Sequence, residues 1–391
     1  MEKVKILKAV DIINDSVSEY EGERPFLSTG DLNLSTITNL ELHTFSEKPS
    51  RANQNVSSGD LILARMQGTV KVKLINNEDE NIIVSTGFLV LRPKINADSK
   101  YLFHLLKSSN FQNDKDKLCT GATQKAINNS NFEKLEIPLP NLATQQRIAA
   151  ILDQADAIIQ NNRAIVQKYD ALTQSLFLDM FGDPVKNEKG WETKTIEQLV
   201  SKNKNSIKRG PFGGALKKEI FVEEGYLVYE QFHALNNDFS MERYFIDDKK
   251  FEELKGFEVK PKDIIISCSG VYLGKLAIVP ENAKKGIINQ ALLKVTIDES
   301  KMTNDFFVFH FSHKNFREKY FDANRGAGIP NFPPMSEFKK FPFIAPPIAL
   351  QNQFAERVAM IEAQKQQAQL ELAKSEELFQ SLLQRAFKGE L

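Results

Sequence analysis

Residues 140–182 and 346–388 align without a gap at an offset of 206, and this internal repeat constrains the fold more than any other feature of the chain. Pro140 falls on Pro346, Gln145 on Gln351, Ile148 on Phe354, Leu152 on Val358, Leu172 on Leu378, Gln174 on Gln380, Ser175-Leu176 on Ser381-Leu382 and Phe181 on Phe387. In the first copy Ile148, Leu152, Ala155, Ile159, Val166, Tyr169, Leu176 and Met180 keep the 4-3 spacing of one helix face, with Ile151, Ile158, Ile165 and Leu172 as a flanking row. Phe354, Val358, Ile361, Ala368, Leu372, Phe379, Leu382 and Ala386 repeat that face in the second copy. Pro138 and Pro140 precede the first stretch and Gly182 and Pro184 close it, as Pro346 and Pro347 precede the second and Gly389 closes it. Each copy therefore predicts one helix of about 38 residues, roughly 57 Å long at ~1.5 Å per residue. A stripe this wide must be buried against another helix. Two equal stripes in one chain point to an intramolecular coiled coil; the alternative is two separate long helices, each packed on its own domain.

The segments ahead of the two helices resemble each other more weakly. Asp60-Leu-Ile-Leu matches Asp263-Ile-Ile-Ile, Gly121-Ala122 matches Gly326-Ala327, and Phe132, Leu135 and Ile137 match Phe338, Phe341 and Phe343. Both alternate short β-rich runs (Leu61-Ile-Leu, Asn81-Ile-Ile-Val, Gly87-Phe-Leu-Val-Leu; Ile264-Ile-Ile, Leu292-Leu-Lys-Val) with helical stretches at Tyr101–Ser108 and Asp305–Tyr320, so each reads as an α+β globe. The predicted order is globe 1–142, helix 143–182, globe 183–345, helix 346–391. Only a few residues after Gly182 lead into the second globe, too few to run back along a ~57 Å helix. Antiparallel pairing follows, with each globe at the start of its own helix and a pseudo-twofold between them.

Composition narrows the function. The 51 basic and 51 acidic residues cancel, and residues 1–142 carry 17 basic and 18 acidic side chains against 26 and 22 in 185–345. Neither globe has the basic excess of a domain that binds nucleic acid by charge alone. Cys119 and Cys268 match no metal-ligand spacing and read as buried free thiols in a reducing compartment. The Met1-Glu-Lys-Val-Lys start has no apolar targeting core, and no run approaches the ~18 apolar residues of a membrane span, so a cytoplasmic location is expected.

Three stretches carry a resemblance to a known family. They are Gly121-Ala-Thr-Gln-Lys-Ala-Ile-Asn-Asn-Ser-Asn-Phe with Ile137-Pro-Leu-Pro and Thr144-Gln-Gln-Arg-Ile; Trp191-Glu-Thr-Lys-Thr-Ile with Lys208-Arg-Gly-Pro-Phe-Gly-Gly-Ala-Leu-Lys-Lys; and the terminal Phe387-Lys-Gly-Glu-Leu. Together they resemble the specificity subunits of type I restriction-modification enzymes over nearly the whole chain. The first globe lacks a counterpart of the Trp191 opening and of the Gly-Pro-Phe-Gly loop, and Ile329-Pro-Asn-Phe-Pro-Pro replaces the Gly-Thr-Gln pattern in the second. The resemblance implies two target recognition domains, each reading half of a split site in double-stranded DNA, with the paired helices as a ruler for the gap. It also implies two methyltransferase subunits as partners, and motor-nuclease restriction subunits through them. S-adenosylmethionine and ATP would bind those partners, leaving this chain with no cofactor and no catalytic residue.

The residues themselves offer little chemistry. Arg325-Gly-Ala-Gly328 and Asn331-Phe-Pro-Pro334 only superficially match the cofactor loop and the Asn-Pro-Pro motif of an amino-methyltransferase, because Phe332 breaks the second and the two lie too close together for separate strand ends. Gly210-Pro-Phe-Gly-Gly lacks the Lys-Ser/Thr of a phosphate-binding loop, and His310-x-x-His313 has no further ligand at metal spacing. Base edges are addressed by polar side chains on loops. The DNA-binding candidates are Arg65, Gln67, Lys71, Thr123, Gln124 and Lys125 in the first globe, and Lys208, Arg209, Lys217, Lys218, Ser269, Tyr272 and Arg325 in the second. Taken singly, each also reads as a solvated surface residue. A coiled-coil scaffold without DNA preference is the rival reading.

Overall fold

The computed structural model describes residues 3–212, 214–270, 272–321 and 332–391. Its contacts divide the chain into one unit of Met1–Ile165 with Gln367–Leu391 and another of Val166–Gln366. The two long helices run over Leu142–Phe181 and Ile348–Lys388, and each contributes to both units.

Within each unit the helices pair antiparallel, because partner numbers fall on one helix as they rise on the other. In the first unit Arg147 meets Leu391, Asn162 meets Ser375 and Arg163 meets Glu376; in the second, Asp170 meets Lys365 and Met180 meets Arg357. Of the expected seam, Ile148, Leu152, Ile159, Phe354, Val358 and Phe379 are buried, whereas Val166, Tyr169, Leu176, Ile361, Leu372 and Leu382 are half-buried. Two expectations are corrected here. Ile158, Ile165 and Leu172 of the flanking row are exposed, since a two-helix seam covers a stripe narrower than three positions. Near the end of the first helix the buried positions move to Thr173, Phe177 and Phe181, because the 3.6-residue helical period drifts from a strict heptad and that end also packs on a globe. Gly182 and Gly389 close the helices in the left-handed region (φ +75° and +91°), as the sequence predicts.

Each unit also contains the same arrangement of strands. In the first, a sheet in the order Val10–Ile13, Phe88–Pro93, Leu61–Ala64, Val72–Leu74 lies against a second in the order Glu41–His43, Arg24–Leu27, Ile83–Ser85, Ala52–Gln54. The second unit repeats this with Ile207–Arg209, Leu292–Val295, Ile264–Ser267, Leu276–Ile278, and with Phe245–Ile246, Tyr226–Tyr229, Gly286–Ile288, Glu258–Val259. Both second sheets contain one parallel pair, Arg24–Leu27 with Ile83–Ser85 and Tyr226–Tyr229 with Gly286–Ile288. The apolar runs follow from burial on two faces. Leu61 and Leu63 face the helices while Ile62 and Ala64 face the second sheet, and Ile264 and Ile266 alternate with Ile265 in the same way. Each of these leucines and isoleucines contributes roughly 1.5–3 kcal/mol.

The matched aspartates ahead of these central strands are both buried. Asp60 accepts two 2.8 Å bonds from Arg92 and one from the Ser57 amide, while Asp263 accepts from the Lys260 amide and the Thr296 hydroxyl. A second shared element went unseen in sequence: the first globe does have an opening strand. Lys3–Lys5 pairs antiparallel with Glu136–Pro138 as Thr193–Thr195, after Trp191, pairs with Pro342–Ile344, and buried Ile6 and Ile196 follow. The helical stretch expected over Asp305–Tyr320 is two helices, Asn304–Ser312 and Lys314–Tyr320, interrupted at His313 by an extended backbone (ψ 134°).

The repeated glutamines join globe to helix. Gln145 is fully buried; its Oε1 accepts from the amide of Asp98, the N-cap of helix Ser99–Lys107, and its Nε2 donates to Asn96 and Pro140 carbonyls. Gln351, also fully buried, does the same for Thr303, the N-cap of Asn304–Ser312, and donates to Pro346.

Candidate nucleic-acid interface

In each unit an inner strand of the first sheet is joined to the adjacent edge strand by a hairpin loop, residues 65–71 between Leu61–Ala64 and Val72–Leu74 and 268–275 between Ile264–Ser267 and Leu276–Ile278. Arg65, Gln67 and Lys71 lie on the first loop and Ser269 and Tyr272 on the topologically equivalent second.

In the first unit the 120–126 loop lies alongside. Thr120 and Met66 both bridge to Ala126, the Gln67 amide donates to Lys125 carbonyl at 2.9 Å, and the Ile127 amide donates to Arg65 carbonyl at 2.9 Å. Gly121 (φ +136°) sits at the turn where a Cβ would strike the Gln124 carbonyl, so only glycine fits. Gln67, Thr123, Gln124 and Lys125 are thereby brought together and exposed. Arg65 is placed differently: its guanidinium donates to the carbonyls of Phe88 and Ile127 and to Asn129, and burial lowers its pKa. Its role in the structure is to tie the hairpin to the 127–129 segment. Lys71 is half-buried, with Nζ donating to Thr29 carbonyl at 2.6 Å.

In the second unit the same anchor recurs, because the Phe332 amide donates to Cys268 carbonyl at 3.1 Å as Ile127 does to Arg65. Arg325 and the neighbouring Gly326-Ala-Gly lie outside the described residues, as do Gly213 and Val271. Tyr272 is 56% exposed at the loop, and Ser269 is half-buried. Lys208 and Arg209 sit on the edge strand, with the Lys208 ammonium over the Phe257 ring at 4.8 Å and the Arg209 guanidinium over Phe212 at 5.5 Å. Arg209 Nε is buried without a hydrogen-bond partner, next to the Cys268 thiol, whose pKa burial pushes up to about 12. Lys217 and Lys218 are exposed on a segment whose Ala215, Leu216, Ile220 and Phe221 pack on the second sheet.

The sequence missed residues that hold these hairpins. Gln231 donates to Ser267 Oγ at 2.9 Å and to Ser269 carbonyl at 3.0 Å, and Thr29, which accepts from Lys71, occupies the corresponding place after strand Arg24–Leu27. Lys115 is fully buried and donates to the carbonyls of Met66 and Thr69. No local signal marks such residues, because a lysine in a polar helix reads as surface charge until the loop beneath it is known. Cys119 is half-buried and Cys268 buried, both free. His310 is fully buried, accepting from the Ile344 amide at 3.3 Å, with its pKa lowered to about 3 mainly by burial. Among the described residues there is no group of three or more His, Cys, Asp or Glu that could hold a metal ion, and no helix is long and apolar enough to cross a membrane.

The fold is thus defined by two two-sheet α+β units, each with a braced hairpin, to both of which the two long helices contribute. Residues 4–168 match the type I restriction modification DNA specificity domain family. The chain is 24% identical over 293 residues to the MjaIX specificity subunit of Methanocaldococcus jannaschii, covering 70% of this chain and 64% of that protein, so it spans just under two thirds of that relative. It is 23% identical over 364 residues to the StySPI specificity subunit of Salmonella potsdam, covering 87% and 76%. In fold it is similar to the type I restriction-modification S subunit from M. genitalium, with TM-score 0.54 and 17% identity over 99% of this chain and 96% of that one. It is also similar to a chain from a study of type I R-M complex assembly, with TM-score 0.66 and 17% identity over 100% and 98%. Residues 4–168 thus match that domain family, and over most of its length the chain is similar to type I restriction-modification specificity subunits.

Proposed function

We propose that this chain is the DNA sequence-recognition subunit of a type I restriction-modification complex. Each unit reads one half of a bipartite site in double-stranded DNA, and the long helices set the gap and hold two adenine methyltransferase subunits. The restriction subunits join through these. The chain does no chemistry itself; S-adenosylmethionine and ATP belong to the partners, and the complex works in the cytoplasm.

The observation that carries this reading is the duplication of one braced hairpin on two units of identical strand topology, with exposed Gln67, Gln124 and Lys125 on one and Tyr272 on the other. A repeated reading loop with different side chains suits two different half-sites, and polar and aromatic groups on loops address base edges and backbone. Joining two weak readers also raises effective concentration at the second half-site without demanding tight binding from either. Near-neutral charge leaves much of the phosphate attraction to partner subunits.

The test is co-expression with a type I methyltransferase subunit from the same genome and single-molecule mapping of modified adenines. A bipartite motif with a fixed gap, absent when this chain is omitted, is the expected result. Methylation unchanged by its omission, with no sequence preference in the complex, would leave the scaffold reading instead.

A further inference from the structure

We propose that Lys115 and Arg317 are positioning residues that fix the shape of the two reading hairpins from beneath, so that each sets the selectivity of one half-site without touching DNA. This inference rests on the recognition reading above. The two units reach the same device with different residues. In the first, Lys115 on helix Ser109–Lys117 is fully buried, and its Nζ donates to Met66 carbonyl at 3.2 Å and Thr69 carbonyl at 3.0 Å. Its neighbour Asp116 accepts from the Gly68 amide at 2.9 Å through Oδ2, lies 3.4 Å from Lys115 Nζ through Oδ1, and offers its carbonyl to Gln67 Nε2 at 3.2 Å. Backbone groups of Met66, Gly68 and Thr69, and the side chain of Gln67, are thus held by two consecutive residues.

In the second unit Arg317, on the corresponding helix Lys314–Tyr320, donates through Nη1 to Gly274 carbonyl at 3.0 Å and through Nη2 to Leu273 carbonyl at 2.5 Å. Gln231 holds the other limb of that loop at Ser269. A buried ammonium and a guanidinium recur under equivalent loops although they share neither residue type nor sequence context. A cation aimed at backbone carbonyls is indifferent to the loop's side chains. Those side chains can therefore vary with the DNA sequence read while the loop keeps its shape, which is what preorganised base readout needs.

The test uses the full chain co-expressed with the methyltransferase subunit, comparing the methylation motif of Lys115→Met and Arg317→Met with the parent. Methionine fills the space without donating. The expected result is that Lys115→Met relaxes one half-site and Arg317→Met the other, with methylation at single-mismatch sites in that half rising about tenfold, the size of one lost base contact. The gap and the opposite half stay unchanged. A lower level of methylation at an unaltered motif would show a merely structural role and overturn the proposal, as would relaxation of the same half by both variants. Should Lys115→Met fail to assemble, Asp116→Asn, on a quarter-exposed side chain, must relax the same single half-site or the proposal falls. Absence of any chain-dependent motif in the parent would instead refute the recognition reading itself.

Discussion

Replacing Gln145 by Leu tests how each globe is fastened to the helix that carries it. The substitution keeps the volume but strands three backbone groups: the Asp98 amide, which donates at 2.8 Å, and the Asn96 and Pro140 carbonyls, which accept at 3.0 and 2.8 Å. A buried group left without its partner costs about 1–3 kcal/mol. Asn96 is exposed and Pro140 half-exposed, so water replaces part of what is lost and the low end applies, giving about 3 kcal/mol in all. Gln351→Leu strands the Thr303 amide and the Pro346 carbonyl and should cost about 2 kcal/mol. At roughly 2–4 °C per kcal/mol for units of this size, the first unit should melt about 9 °C lower and the second about 6 °C lower. Hydrogen exchange read by mass spectrometry separates them: peptides over 96–107 should lose protection in Gln145→Leu and those over 302–312 in Gln351→Leu, each leaving the other untouched. A Gln145→Leu loss under 1 kcal/mol, or unprotected peptides in the wrong unit, would refute the fastening argument.

Exposed Gln124 and internally bonded Arg65 should separate function from stability: Gln124→Ala should alter half-site preference with an unchanged melting temperature, whereas Arg65→Ala should lower the melting temperature of the first unit as its three acceptors lose their donor. His310 takes up a proton in the unfolded chain near its ordinary pKa but in the fold only near 3, so the second unit should lose stability as pH falls from about 6.5 towards 3, by at most ~1.4 kcal/mol per pH unit. Denaturant titrations against pH should show that acid limb flattened in His310→Gln. Gly210→Ala would drive a methyl into the Asn289 backbone carbonyl and break the Gly210 amide bond to Leu292, costing about 3 kcal/mol or more, seen as a lower thermal midpoint of the second unit.

The repeat and its helices were legible because a long stripe at fixed period is written in many residues at once, and Gly182 and Gly389 mark its ends where the structure shows left-handed glycines. The central strands were legible for a related reason: burial on both faces leaves an unbroken run such as Ile264-Ile-Ile. The remainder of each globe was not. Val10–Ile13 and Ile207–Arg209 occupy the same place in the sheet order yet share little sequence, because an edge strand needs only backbone pairing on one side and tolerates either polar or apolar residues outward. The parallel pairing of Arg24–Leu27 with Ile83–Ser85 joins residues too distant for any local pattern to connect.

The same reasoning explains why half of the candidate site was readable. Gly121 and the polar residues after it stand out because a turn dictates its glycine, and the structure leaves Thr123, Gln124 and Lys125 exposed there. Arg65 has the composition of a contact residue but the geometry of a staple, since a guanidinium with internal carbonyls in reach satisfies them before it meets solvent. Lys115 and Arg317 carry the opposite lesson. Their charge invites a surface reading, and only the carbonyls of a loop far away in sequence reveal them as supports. A protein that changes its DNA target by changing loop side chains must keep its loop supports independent of those side chains. On the proposed function, selectivity would be written in two places: the exposed residues of the hairpin, which sequence can nominate, and the fully buried Lys115 and half-buried Arg317 under the hairpins, which only the fold identifies.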